Sequence, residues 1–121
     1  MKIWKEYFFD SAHFLPNVPE GHKCGRMHGH TFRVRVYLSG AVRHDTGWVM
    51  DFANIGTTMK PLVESVDHVL LNDIDGLENP TSENLAIWFW NRVKPELPWL
   101  YAVEVSETCT TGVIYKGREF R

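Results

Sequence analysis

The chain has 121 residues, a net charge of −2 and 44% hydrophobic residues, enough for one domain with a substantial core. The near-neutral balance excludes the basic face of a nucleic-acid binder, and no apolar run approaches the roughly 20 residues that span a bilayer. MKIWKEYFFD carries charged residues where a signal peptide would be apolar, so the expectation is a cytoplasmic protein of one domain, residues 1–121, with Cys24 and Cys109 as reduced thiols.

Ile3 to Ala12 is read as the first strand, rich in strand-forming Trp4, Tyr7, Phe8 and Phe9 but poorly alternating, as if both faces were covered. His13 stands at its end. Pro16 to Arg26, with Pro19, Gly21 and Gly25, has the composition of turns and delivers Cys24 just before the next strand. From Thr31 to Leu38, Phe32, Val34, Val36 and Leu38 alternate with Thr31, Arg33, Arg35 and Tyr37, the period of a half-buried strand. His28 and His30 open this run with the parity of its apolar residues, so both rings can turn toward one ion.

After turn residues His44 to Gly47, Trp48 to Met50 reads as a short extended piece. Asp51 is then an N-cap ahead of Phe52, Ile55, Met59, Leu62, Val63 and Val66 at helical spacing, with Pro61 expected to end or kink that helix. Thr81 caps a second helix whose stripe is Leu85, Trp88, Phe89 and Val93, ending at Lys94 before Pro95. Trp99 to Glu107 and Val113 to Lys116 give two more strands joined by TCTTG.

This order, ββααββ, describes an α+β fold with a four-stranded antiparallel sheet and two helices on one face. The other face is expected to carry apolar and aromatic side chains, given five tryptophans and four tyrosines, and so to drive self-association. The competing reading has those aromatics filling a small core.

Three neutral imidazoles, His13, His28 and His30, with an open fourth position describe a catalytic zinc better than a closed structural one. No carboxylate is evident within the cluster to make a facial triad, which places zinc ahead of iron or manganese. Cys24, among His22, Lys23 and Arg26, lies in an electropositive setting that favours thiolate; it is a proton-transfer group or a fourth metal ligand, the former preferred. Asp67 and His68 form an acid–imidazole pair, but neighbours on an extended segment point apart. On the dipeptide alone, a helix-terminal aspartate beside a surface histidine is the preferred reading. Glu107 shares the parity of Tyr101, Val103 and Val105. Its carboxylate either receives the paired N–H donors of an aminopyrimidinone edge or forms a salt bridge to Arg33, Arg35 or Arg118.

The blocks SAH, CGRMHGH, DFANI, DH followed by LND, NPTSE and ETCTTG, in that order over nearly the whole chain, closely resemble the 6-pyruvoyl-tetrahydropterin synthase family. VPEGHKCGRMHGH, TGWVMDF, LNDI and GLENPTSE bring the fit nearest to its 6-carboxy branch. The resemblance implies the tunnelling fold (T-fold), in which trimers close a twelve-stranded barrel and two trimers stack into a homohexamer with active sites between subunits. It implies zinc bound by His13, His28 and His30, a proton-transfer triad of Cys24, Asp67 and His68, and a pterin ring anchored by Glu107. The implied substrate is a small molecule, 7,8-dihydroneopterin triphosphate, turned into 6-carboxy-5,6,7,8-tetrahydropterin with loss of acetaldehyde and triphosphate in queuosine biosynthesis. Cys24 would act as base and His68, oriented by Asp67, as acid, with Lys23, Arg26, Lys116 and Arg118 as candidate cations for the triphosphate. The 6-pyruvoyl branch, with the same catalytic residues, is the runner-up. A zinc-containing pterin-binding module without turnover is the alternative of another class, and an aldolase of the same broad fold is a third possibility.

Overall fold

A computed structural model describes residues 1–118. β1 (Lys2–His13) and β2 (His28–Ser39) form a long antiparallel hairpin, in register from Lys2 opposite Ser39 to His13 opposite His28. α1 (Phe52–Val66) and α2 (Ser82–Val93) follow, then β3 (Leu100–Thr108) and β4 (Thr111–Tyr115). The strands lie in the order β1-β2-β3-β4, all neighbours antiparallel.

Period-two patterning decides which face is buried. Phe32, Val34, Val36 and Leu38 of β2 are fully buried, as are Phe9 of β1 and Val103 and Val105 of β3. They meet Ile55, Met59 and Val66 of α1 and Leu85, Phe89 and Val93 of α2 in one core. α1 packs over β1 and α2 over β3 and β4. Phe9 stacks on Phe32 at 5.0 Å between ring centroids, and Phe89 closes on Phe9 at 6.1 Å. Truncating so buried a phenylalanine costs about 3–5 kcal/mol.

The helix starts are where side-chain chemistry places them. Asp51 accepts from the Ala53 N–H at 2.9 Å, and Thr81 from the Asn84 N–H at 3.1 Å. α1 continues past Pro61 to Val66, so the helix does not end there. The ring removes one backbone hydrogen bond, and burial of Ile55, Met59 and Val66 on both sides of it outweighs that loss. The segment Trp48 to Met50 is not a strand. Gly47, at φ +76°, turns the chain back, and the Trp48 carbonyl closes that turn by accepting from the Arg43 N–H.

The sheet face away from the helices is not the apolar surface expected. Its middle is an ion-paired ladder: Arg33 to Glu104 at 2.8 Å, Arg35 to Glu6 at 2.8 Å, and the Tyr37 hydroxyl to Glu104 at 2.5 Å. Alternation along β2 puts Arg33, Arg35 and Tyr37 there as surely as it buries Phe32 and Val34. Exposed Trp4, Phe8 and Ile114 flank the ladder, so β1 is bare on this side within one chain, not covered on both faces. Trp88 and Phe89 lie in the core, where the competing reading placed the aromatics. Among the described residues, no helix is long and apolar enough to cross a membrane.

Candidate metal centre

The hairpin register that buries Phe9 against Phe32 also sets Ser11 opposite His30 and His13 opposite His28, two and four pairs further along. Directly opposed residues share a face, so three imidazoles emerge on the helix side of the sheet, just past the end of the core. His13, His28 and His30 each offer a ring nitrogen, and these atoms lie within 4.8 Å of one another. Their rings meet edge to face, at 4.6, 5.1 and 4.9 Å between centroids. Phe32 is the floor under His13 and His30.

Two backbone carbonyls orient the cluster. The His13 Nδ1–H donates to the Pro80 oxygen at 2.8 Å, and the His28 Nδ1–H to the Arg26 oxygen at 2.7 Å. Each leaves Nε2 as the atom with a free lone pair, the arrangement of metal-ligating histidines. His13 is 1% exposed, and its Nε2 has no hydrogen-bond partner among the described residues. Burial is the largest influence on this ring and holds its pKa below the ordinary value despite the Pro80 carbonyl. A neutral imidazole therefore turns a bare lone pair toward the Glu107 Oε2, 3.6 Å away, and His30 Nε2 stands 3.8 Å from the same oxygen. Two acceptors facing one another at a buried imidazole call for a cation between or beside them. The residues fit a metal ion.

Glu107 does not form the salt bridge to Arg33 or Arg35 that was one of its sequence alternatives. Its parity with Val103 and Val105 carries it to the helix side, away from Arg33 and Arg35, which pair with Glu104 and Glu6 on the opposite face. It also corrects the expectation that no carboxylate approaches the cluster, because β3 lies beside β2 and brings one in.

Asp67 and His68 are joined, although extended neighbours would point apart. Asp67 is the C-cap of α1, and His68 adopts φ +57°, a left-handed conformation costing a non-glycine residue about 1 kcal/mol. That turn brings His68 Nδ1 to 2.9 Å from Asp67 Oδ2. Asp67 Oδ1 accepts from the Asp10 N–H at 2.9 Å. The Asp10 N–H first, and His68 second, hold the Asp67 carboxyl below its ordinary value; Asp67 raises the His68 imidazole above its own. His68 and His30 line one cleft of about 620 Å³ between β1, β2 and residues 68–70.

Cys24 sits in a 3-10 turn, Lys23–Gly25, held by its own N–H to His22 Nδ1 and by its carbonyl from the Leu15 N–H. It belongs to neither metal-competent group within this chain. Lys116 lies over the Tyr101 ring, which Lys2 also approaches, at the end of the sheet away from the histidines. This chain's own metal centre is therefore out of its reach.

Some residues that build the site carry no chemical signal in sequence. The Pro80 and Arg26 carbonyls are backbone atoms. Asn72 grips the chain just after His13, accepting from the Phe14 N–H at 3.0 Å and donating to the Phe14 carbonyl at 2.8 Å. The buried Ser11 hydroxyl donates to the Val66 carbonyl. Ser11, in the SAH block, and Asn72, in the LND block, had a signal that could have found them.

A family model described as 6-pyruvoyl tetrahydropterin synthase matches residues 2–118. A 6-carboxy-5,6,7,8-tetrahydropterin synthase from Synechocystis is 45% identical over 119 residues, covering 93% of this chain and 91% of the relative. A dihydroneopterin monophosphate aldolase from Pyrococcus furiosus is 37% identical over 90 residues, covering 74% and 72%. Among solved structures, a Caenorhabditis elegans 6-pyruvoyl tetrahydropterin synthase superposes with a TM-score of 0.89 at 28% identity, over 98% of this chain and 96% of that one.

Proposed function

The chain belongs to the 6-pyruvoyl tetrahydropterin synthase family, and from that premise we propose that it is a zinc-dependent 6-carboxy-5,6,7,8-tetrahydropterin synthase. It takes 7,8-dihydroneopterin triphosphate and releases acetaldehyde and triphosphate, a lyase step toward queuosine in the cytoplasm. One observation carries this reading: three imidazoles offer ring nitrogens within 4.8 Å of one another in a chain that also holds an Asp67–His68 pair at 2.9 Å. Identity to the Synechocystis relative favours the carboxy branch over the pyruvoyl one.

His13, His28 and His30 hold the zinc, which when bound supplies a Lewis acid that acidifies protons on the substrate side chain. His68, oriented by Asp67, which raises its pKa, is poised to donate a proton from its exposed edge. Glu107 receives the paired N–H donors of the aminopyrimidinone ring. Cys24 is the base. Neighbouring copies in a homohexamer complete the site, with the bare outer face of β1 turned inward.

Purified protein is incubated with 7,8-dihydroneopterin triphosphate, with and without a zinc chelator, while acetaldehyde and the pterin mass are followed. Acetaldehyde with a carboxylated tetrahydropterin, lost on chelation, is the expected result. A pyruvoyl product would move the chain to the sister branch, and cleavage of dihydroneopterin monophosphate instead would move it toward the aldolase. Intact substrate beside bound zinc would leave a pterin-binding module.

A further inference from the structure

Strand β1 supplies His13, and the three residues preceding it grip the turn that carries Asp67 and His68. The Asp10 N–H donates to Asp67 Oδ1 at 2.9 Å, and the Asp10 carbonyl accepts from the His68 N–H at 2.6 Å. Ser11 Oγ bonds the Val66 carbonyl and accepts from the Val69 N–H at 3.4 Å. The Ala12 N–H donates to the Val69 carbonyl at 3.0 Å. This clamp explains how a histidine is kept at positive φ.

It does not explain the Asp10 side chain. That carboxylate is held by the Thr31 hydroxyl, which donates to Oδ1 at 2.5 Å. So fixed, it offers an oxygen within 4.8 Å of both the Asp67 and the His68 ligand atoms. His68 is faced by Asp67 from the end of α1 and by Asp10 from β1, while β2 contributes the uncharged Thr31 and, in the same cleft, His30. No lysine or arginine lines that cleft among the described residues.

We propose that Asp10 is a positioning residue for His68: its backbone holds the ring in place, and its carboxylate is a second negative charge that keeps the imidazole in its proton-donating form. Two carboxylates around one imidazole favour the cation over the neutral ring. Asp67 acts on His68 first and Asp10 adds to it in the same direction. The inference rests on reading Asp67–His68 as the proton-transfer pair.

The test is the NMR titration of the His68 ring in zinc-loaded protein, comparing wild type with Asp10→Asn, which keeps every backbone hydrogen bond and removes only the charge. A unit charge at this separation in a solvent-exposed cleft is worth about half a pH unit, so the midpoint is expected to fall by about that much. The alkaline limb of kcat/KM is expected to move down equally. Thr31→Val, which frees the Asp10 side chain without changing its charge, is expected to shift the midpoint the same way by less, and it decides the matter if Asp10→Asn fails to fold. An unmoved midpoint in the folded variant overturns the inference. The titration needs no turnover, so an inactive enzyme would sink the proposed reaction and leave this question to the ring itself.

Discussion

The Nδ1–H of His13 donates to the Pro80 carbonyl across 2.8 Å, tying the end of β1 to the loop that caps α2. That loop is itself pinned, with the Asn79 carbonyl accepting from the Thr81 N–H at 2.9 Å and from Asn84 Nδ2 at 2.8 Å. Metal orientation and helix capping are therefore coupled. Thr81→Ala is expected to cost about 1 kcal/mol, a fall in Tm of about 4 °C, and to lower zinc affinity about tenfold as the carbonyl loses its fixed direction. Thermal unfolding and competition with a chromophoric chelator measure the two effects.

His28 is only half-buried, so His28→Ala should fold while losing a ligand. Zinc affinity is expected to drop by more than the 10–100-fold that follows loss of an outer partner. Elemental analysis after dialysis checks it, and one retained metal per chain would contradict a three-imidazole site.

Glu107 stands between two roles, as pterin anchor and as neighbour of the metal ligands. Glu107→Gln removes the charge and one acceptor. The expected outcome is unchanged zinc content and pterin affinity weaker by about 10–100-fold, as for a lost hydrogen bond to a charged group. Calorimetry with a pterin, paired with metal analysis, separates the roles; loss of zinc would make the carboxylate a ligand.

Cys24→Ala should leave both zinc and pterin binding intact. If Cys24 is the base, turnover falls by about 10²–10⁴. A variant that bound substrate and turned it over at the wild-type rate would remove Cys24 from the chemistry.

The Asp67–His68 pair makes stability depend on pH in a stated direction. Asp67 raises the His68 pKa above 6.5, so that contribution is complete below 6.5 and is lost as pH rises through the higher folded-state value. The Asp67 pKa lies below 3.8, held down by the Asp10 N–H and then by His68, so its contribution is complete above 3.8 and is lost as pH falls through the lower value. Both act together between 3.8 and 6.5. Urea midpoints of wild type and Asp67→Asn, compared from about pH 6 to about pH 9, should converge as pH rises. A constant gap would mean that the ion pair adds nothing.

Much of this molecule is legible along the chain because β2 obeys a strict period of two. That parity buries Phe32, Val34 and Val36, places Arg33 and Arg35 on the far face, and puts His28 and His30 together, all without knowledge of any partner strand. Capping chemistry at Asp51 and Thr81 marks both helix starts in the same local way. The course of α1 past Pro61 is not local, because burial of both flanking turns overrides the missing hydrogen bond.

What only the tertiary structure decided are the relations that depend on register and on backbone atoms. Hairpin register brings His13 opposite His28, and the β2–β3 pairing carries the Glu107 carboxylate to the imidazoles. The carbonyls of Pro80 and Arg26 choose the ring nitrogen that stays free, and no side chain announces them. The union of Asp67 with His68 needs a positive φ that β1 enforces from more than fifty positions away in sequence. Residue type states which chemistry a side chain can perform; strand pairing and carbonyl direction set the distances at which that chemistry is performed.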